Sequence, residues 1–432
     1  MSSPRPALHG VWAGTHREQI NKALTLAFSL WVVWPQLNYQ IGAYGGMALA
    51  LGWLVTTGDF LLQRKVPPVM LWTLIFGATL LPYVVTGTLR YGALNPFSVV
   101  GAQFLFLVGA LMLAYHLELR RDYTFLRAVF VVGVAGYVVG SLQTIRGLIV
   151  FPEASRLLAA ERPMTDVYQG ASIGGFGFVY GASFVCLMLV FILRSSRVRS
   201  RHRLAALGCL TVISYMLVAA SYAFALIVAS VGALVILLAR SRATIVVIIA
   251  SALISLTLLR DSIGQFLTAL SAQLPGQSVV HEKLLDLARS LVDSSYSGET
   301  GFRLDLYSIS ADSFLHHPFF GIYGAFNPDV HARAGNHSGW LDLLAYYGLV
   351  TALPLFIAVI ANFLAGARFY RQEPFGAALF VMQVVFVLYG MLNPITYIYQ
   401  MGFTMFFLAP LAGLWICPVG PSEDLPRPAG AQ

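Results

Sequence analysis

Gly335-Asn336-His337-Ser338-Gly339-Trp340-Leu341-Asp342 closes the one long polar segment of this chain and opens an apolar run that continues to about residue 366. A run of that length exceeds the roughly 17–25 residues needed to cross about 30 Å of hydrocarbon at 1.5 Å per residue. The stretch therefore predicts a transmembrane helix whose first turn carries an imidazole and a carboxylate at a membrane–water boundary.

Working outward, comparable runs recur near 20–36, 40–58, 67–89, 94–116, 123–150, 170–193, 204–220, 222–239, 243–259, 338–366, 375–392 and 396–417. This predicts about twelve spans. The pairs 20–58 and 204–239 have such short polar interruptions that either reads equally as one broken helix. Composition agrees, with 58% hydrophobic residues, 11% charged residues and a mean hydropathy of +0.73. Soluble domains are about 45–50% apolar and about 25% charged. The expected fold is all-α and polytopic, with spans over 1–259, a polar loop with amphipathic helices over 260–337, further spans over 338–417 and a disordered tail over 418–432.

Lysine and arginine are retained on the cytoplasmic side. Alternate loops carry Arg64-Lys65, Arg120-Arg121, the cluster from Arg194 to Arg203, Arg240 with Arg242, and Arg368 with Arg371. Both termini are thus expected in the cytoplasm, with the 260–337 loop outside. The formal charge of +8 reads as this bias, so no nucleic-acid partner is implied. Met1 to Gln19 is polar, so no cleavable leader is expected. Cys186, Cys209 and Cys417 all fall in predicted spans, with neither disulfide nor metal-ligand spacing.

Loops as long as 260–337 are usually functional or disordered, and this one carries helical pattern. His281 to Arg289 places Leu284, Leu287 and Leu291 at helical spacing. A second helix is predicted from Gly301 to His317, with Phe302, Leu306, Ile309 and Ser313 on one stripe and Pro318 ending it. Such helices would cap a cavity between spans.

Three groups of residues have the chemistry for a site. An imidazole titrates near neutrality and can take a proton from a hydroxyl nucleophile, which marks His337. Asn336 or Ser338 beside it can cap the next helix, and Asp342 orients the ring only if the intervening turn bends. Arg303 sits near a helix start and offers a planar fork of donors for phosphate or carboxylate, or else pairs with Glu299 or Asp305. Arg146 lies near the outer end of the fifth run, where an arginine faces a cavity or snorkels to the interface. Arg156 and Arg162 on the following loop would extend a cationic patch. Gly174-Gly175-Phe176-Gly177 reads as helix packing. The chain has no DxD pair and no HExxH or HxxxH spacing, so neither metal nor cofactor is expected.

The ordered set Gly301-Phe302-Arg303, His317-Pro318-Phe319-Phe320-Gly321-Ile322-Tyr323-Gly324 and Asn336-His337-Ser338 through Gly348-Leu349 resembles the bacterial O-antigen ligase and polymerase family. The resemblance covers about residues 200–365. It implies a multi-span, metal-independent glycosyltransferase of the GT-C-like type in the bacterial inner membrane. Its donor would be an undecaprenyl-diphosphate-linked oligosaccharide, and its acceptor a sugar hydroxyl on a glycan or on lipid A core, joined on the periplasmic face. By resemblance His337 would activate or orient the acceptor hydroxyl, Arg303 would hold the donor diphosphate, and Arg146 would be a further family arginine. The family's ligases commonly carry His-Asn where this chain has His337-Ser338, and a Ser-Arg where it has Ser221-Tyr222. The His-Ser form favours a repeat-unit polymerase. The alternative from another class is a lipid-glycan flippase or secondary transporter, with Arg146 binding an anion.

Overall fold

The computed structural model describes residues 8–58, 66–89, 96–158, 164–239, 241–273, 281, 284–286, 288–289, 298–323 and 333–416. Arg64-Lys65, Arg162, Arg240, Lys283, Leu287, Leu291, His331, Cys417 and the 418–432 tail lie outside them. Among the described residues the chain is helical and has no strand. It is a multi-pass membrane protein by composition, with eight helices among the described residues long and apolar enough to cross a bilayer.

These eight are α3 (Pro68–Leu89), α4 (Pro96–Ala114, continued by a π turn to Leu119), α5 (Tyr123–Val150), α8 (Phe176–Arg194), α9 (Ser200–Ala219), α14 (Gly339–Phe369), α15 (Phe375–Leu392) and α16 (Tyr399–Ile416). Two shorter apolar helices, α10 (Ala223–Leu238) and α11 (Arg242–Leu258), follow α9. The short α6 (Ala154–Leu157) and α7 (Thr165–Gly170) link α5 to α8. The α4, α8 and α16 helices form the buried centre, and α3 and α9 stand at the periphery.

Both ambiguous pairs resolve as two limbs. The α1 helix (Leu8–Val33) and α2 (Pro35–Thr56) fold back on each other: Asn21 Nδ2 donates to Thr56 Oγ1 at 2.9 Å, and Trp53 Nε1 to Thr25 Oγ1 at 3.0 Å. The α9–α10 limbs part at Ser221, whose φ is 58°. At the far end of the α1–α2 hairpin from its Pro35 turn, Lys22 bridges Glu18 and Asp122 at 2.9 and 2.6 Å.

Two helices are interrupted. Gly42 in α2 has φ 68°, and Gly348 in α14 has φ 62° with ψ −173°. A Cβ at 348 would lie 2.3 Å from the Phe319 carbonyl, so only glycine allows the turn at 318–321 to enter the gap. That turn supplies the missing partners. Leu349 N donates to the Pro318 carbonyl at 2.8 Å, Val350 N to Phe319 at 3.1 Å, and Ile322 N to Ala345 at 2.9 Å. The Tyr83 hydroxyl reaches the Tyr347 carbonyl at 2.7 Å. Non-helical backbone at membrane depth persists only where such partners or a cavity satisfy it.

The polar segment holds α12 (Arg260–Ser271), which the sequence pattern does not foretell, and α13 (Gly298–His316), close to the predicted second helix. Residues 281, 284–286 and 288–289 are helical as predicted. The predicted stripe of α13 holds at Ser313, which is buried, and half holds at Leu306, but Phe302 and Ile309 are exposed and Gly301 and Ser310 are buried instead. Small hydroxyl residues face inward there because they bond the backbone of the 333–338 loop. Gly335 N donates to Ser310 Oγ at 2.8 Å, and Ser313 Oγ donates to the Arg333 carbonyl.

Candidate active site

A cavity of about 1090 Å³ opens at the end of the bundle where α1 passes into α2 and where α8 and α14 begin. It lies at the upper end of the roughly 300–1,000 Å³ of small-molecule sites. Arg303, Asn336 and His337 all line it, so residues from the cap helix and the 333–338 loop meet in one chamber. The interrupted stretches face it too, through Gly42 and Ala43 of α2 and Tyr346 and Tyr347 of α14.

The His337 loop is built on a carboxylate. Asp342, in the first turn of α14 and 4% exposed, accepts from Ser310 Oγ at 2.6 Å, Asn336 N at 3.1 Å and Ser338 N at 2.9 Å. Ser338 is the N-cap, accepting from Leu341 N, a role polar residues fill at helix starts. Asn336 adopts φ 59°, a left-handed conformation that asparagine tolerates, and its Oδ1 accepts from the Tyr346 hydroxyl at 2.6 Å. The turn does bend onto Asp342, the condition set from the sequence, and Asp342 shapes it around His337 through the backbone amides of Asn336 and Ser338.

The ring is held from its other side. His337 Nδ1 lies 3.0 Å from the Gly335 carbonyl. A carbonyl only accepts, so Nδ1 carries the proton of that bond and the neutral ring keeps its lone pair on Nε2. Phe302 meets the imidazole edge-on with centroids 6.1 Å apart.

Arg303 donates from Nη1 to the Leu392 carbonyl at 3.1 Å, and its guanidinium lies 5.1 Å over the Phe224 ring. The flat cation is thus pre-set by a carbonyl and an aromatic face. One turn on, burial pushes the Tyr307 phenol up, while the Arg303 charge pulls it down. The rest of the lining is uncharged and rich in amides and phenols: Asn38, Gln103, Asn393, Tyr399 and Gln400 among them. Gln103 Oε1 and Asn393 Nδ2 are buried without a hydrogen-bond partner, in residues only 5% and 8% exposed. Buried polar atoms are normally satisfied, and these two are exceptions in residues that line the cavity.

The other sequence candidates divide. Arg146 is exposed on α5 and is not among the cavity-lining residues, so it is not brought to His337 and Arg303. Arg146→Ala is accordingly expected to change turnover less than about threefold, the scale of surface substitutions, in a transfer assay on purified protein. Arg156 is half-buried on α6 outside the lining, within electrostatic reach of the Tyr222 phenol. Arg162 is outside the described residues. Gly175, Phe176 and Gly177, read from sequence as packing, instead form part of the cavity wall. Gln103 and Asn393 were missed because single amides within or beside apolar runs do not stand out from the runs themselves.

No protein-family model matches this chain, and no curated protein matches it either.

Proposed function

We propose that this protein is a metal-independent membrane glycosyltransferase of the O-antigen ligase and polymerase type. It transfers a glycan from undecaprenyl diphosphate to a sugar hydroxyl, with repeat-unit polymerisation favoured by the His337-Ser338 form. The observation that carries the reading is the shared chamber: a base with a free Nε2 and a fixed guanidinium face one cavity large enough for a diphosphate and sugar units. In the reaction, the acceptor oxygen attacks the anomeric carbon as the bond from that carbon to the diphosphate oxygen breaks. His337 Nε2 takes the hydroxyl proton. Undecaprenyl diphosphate departs with the bonding pair, and Arg303 stabilises the charge that develops on it.

A second feature supports a lipid-borne donor. An apolar groove of about 270 Å³ runs between α2, α3 and α4, lined by Met47, Leu51, Gly77, Leu81 and Phe104. It adjoins the cavity, because Met47 lies one turn beyond Ala43, and Gly101 of the groove precedes Ala102 of the cavity. The carrier's prenyl chain fits that groove. In this reading the eight spans join α1, α2, α10 and α11 in an arrangement of about twelve with a GT-C-like fold. The protein lies in the bacterial inner membrane, with both termini cytoplasmic and the chamber periplasmic.

Interrupted helices lining a cavity are also a transporter feature, and Gly42 and Gly348 keep a flippase as the second reading. One experiment separates them: purified protein in liposomes with carrier-linked repeat unit, with and without lipid A core. A ladder without core is the expected result. Product only with core makes the protein a ligase, and translocation with no new glycosidic bond sinks the transferase reading.

A further inference from the structure

The α8 helix begins at the chamber and runs 19 residues to Arg194, roughly 28 Å at 1.5 Å per residue. At that far end α9, α11 and α15 start, and α10, α14 and α16 stop. From residue 167 to 260 the chain has no aspartate or glutamate, and from 343 to 417 below the first turn of α14 its one acid is Glu373. The ends of these helices and the loops between them carry eight described arginines and no lysine.

Three of the eight are accounted for by the backbone. Arg203 Nη2 donates to the Ser195 carbonyl at 2.6 Å, Arg194 Nη1 to the carbonyls of Ala239 at 2.7 Å and of Ile236, and Arg242 Nη2 to Ala367 at 2.9 Å. Each closes carbonyls at the end of a helix, a role that basic side chains commonly fill. The other five, Arg197, Arg199, Arg201, Arg368 and Arg371, are exposed. Glu373 meets Arg197 at 2.7 Å, and a single carboxylate leaves the patch strongly positive.

A pocket of about 290 Å³ lies among these ends. Its polar side is Arg194, Ser195, Ser196 and Arg197, and its apolar side includes Phe191, Phe375 and Ile416. The Arg197–Glu373 pair is exposed, and pairs of that kind hold weakly. Leu238, next to the lining Ala239, is exposed, as is Leu204 near the start of α9. The pocket is therefore bordered by helices that present leucine outward.

We propose that this pocket holds an anionic phospholipid, its phosphodiester against Arg197, Arg194 and the two serines and an acyl chain against the apolar side. Arginine forks match phosphate oxygens, and basic pockets between helices at a membrane face take acidic lipid head groups in other proteins. A free anion of the same chemistry would gain nothing from Phe191 and Ile416. The site is at the other end of the bundle from the chamber, and it stands whether or not the chamber transfers glycans.

Full-length protein in a neutral detergent is titrated with phosphatidylglycerol, phosphatidylcholine and glycerol 3-phosphate, and the first bound molecule is followed by native mass spectrometry. The wild type is expected to take phosphatidylglycerol about tenfold more tightly than phosphatidylcholine, and Arg197→Gln to weaken phosphatidylglycerol about fivefold. Ser196→Asp, which sets a carboxylate on the polar side, should weaken it by more than about tenfold. Both residues are exposed, so the fold is retained. Arg201→Gln removes the same charge outside the lining and should change affinity less than about twofold, because solvent screens it. An equal loss in Arg201→Gln would reduce the effect to diffuse surface charge and overturn the proposal. So would wild-type affinity in Ser196→Asp, equal binding of the two lipids, or glycerol 3-phosphate bound as tightly as phosphatidylglycerol.

Discussion

Replacing His337 by glutamine is expected to slow glycan transfer by about 10²–10⁴-fold, the usual contribution of a positioned general base, while the folded protein remains. Glutamine keeps a planar side chain and can still donate to the Gly335 carbonyl, which His337 Nδ1 meets at 3.0 Å. It has no basic nitrogen in the place of Nε2. The residue is half-buried at the cavity wall and packs edge-on to Phe302 rather than within the apolar core. Thermal unfolding in detergent should therefore be close to wild type. The rate is measured on purified protein with carrier-linked repeat unit and read as elongated glycan. Turnover within tenfold of wild type would remove His337 from the chemistry.

The second large effect falls on Asp342, and it should strike stability and turnover together. Asp342→Ala removes the acceptor for Ser310 Oγ and for the amides of Asn336 and Ser338. Hydrogen bonds to a charged group are worth about 1.5–3 kcal/mol each, and an orphaned buried donor costs about 1–3 kcal/mol. These contributions overlap, and a loss of roughly 3 kcal/mol or more is expected. The 335–338 turn then loses the anchor that holds Asn336 in its left-handed conformation, and the imidazole shifts with it. A displacement of about 1 Å at a reacting group can cost ~10²-fold in rate. Asp342→Asn sharpens the test, because one side-chain oxygen persists while its NH₂ opposes a backbone N–H. Its apparent Tm should fall between wild type and Asp342→Ala. Equal Tm values for all three would mean that the turn does not depend on this carboxylate.

The fold class was legible because a bilayer imposes one demand, a long apolar run, and most runs of this chain meet it without charge. His337 was legible because a polar residue at the edge of an apolar run stands out, and Arg303 because it sits near the start of a helix predicted inside the one long polar segment. The residues that complete the chamber gave no such signal. Gln103 and Asn393 are single amides within or beside sequences that read as spans, and only the packing of the helices shows that they line the chamber. Gly175 and Gly177 have the same letters as packing glycines, and only the place where α8 begins distinguishes them. Arg146 misled in the opposite direction. Its depth along α5 was readable, but which side of the helix faces the chamber depends on how α5 packs, and the side chain is exposed. Ser310 shifted the inward face of α13 away from Phe302 and Ile309, since its hydroxyl bonds a neighbouring loop that helical periodicity does not describe.

The breach at Gly348 constrains how anything reaches the chamber. The amides of Leu349 and Val350 are closed by carbonyls of Pro318 and Phe319, and α13 is pinned again at its middle by Ser310 on Asp342. Swinging this roof aside would strand peptide groups in an apolar surrounding at several kcal/mol apiece. A cover riveted in this way makes a poor lid.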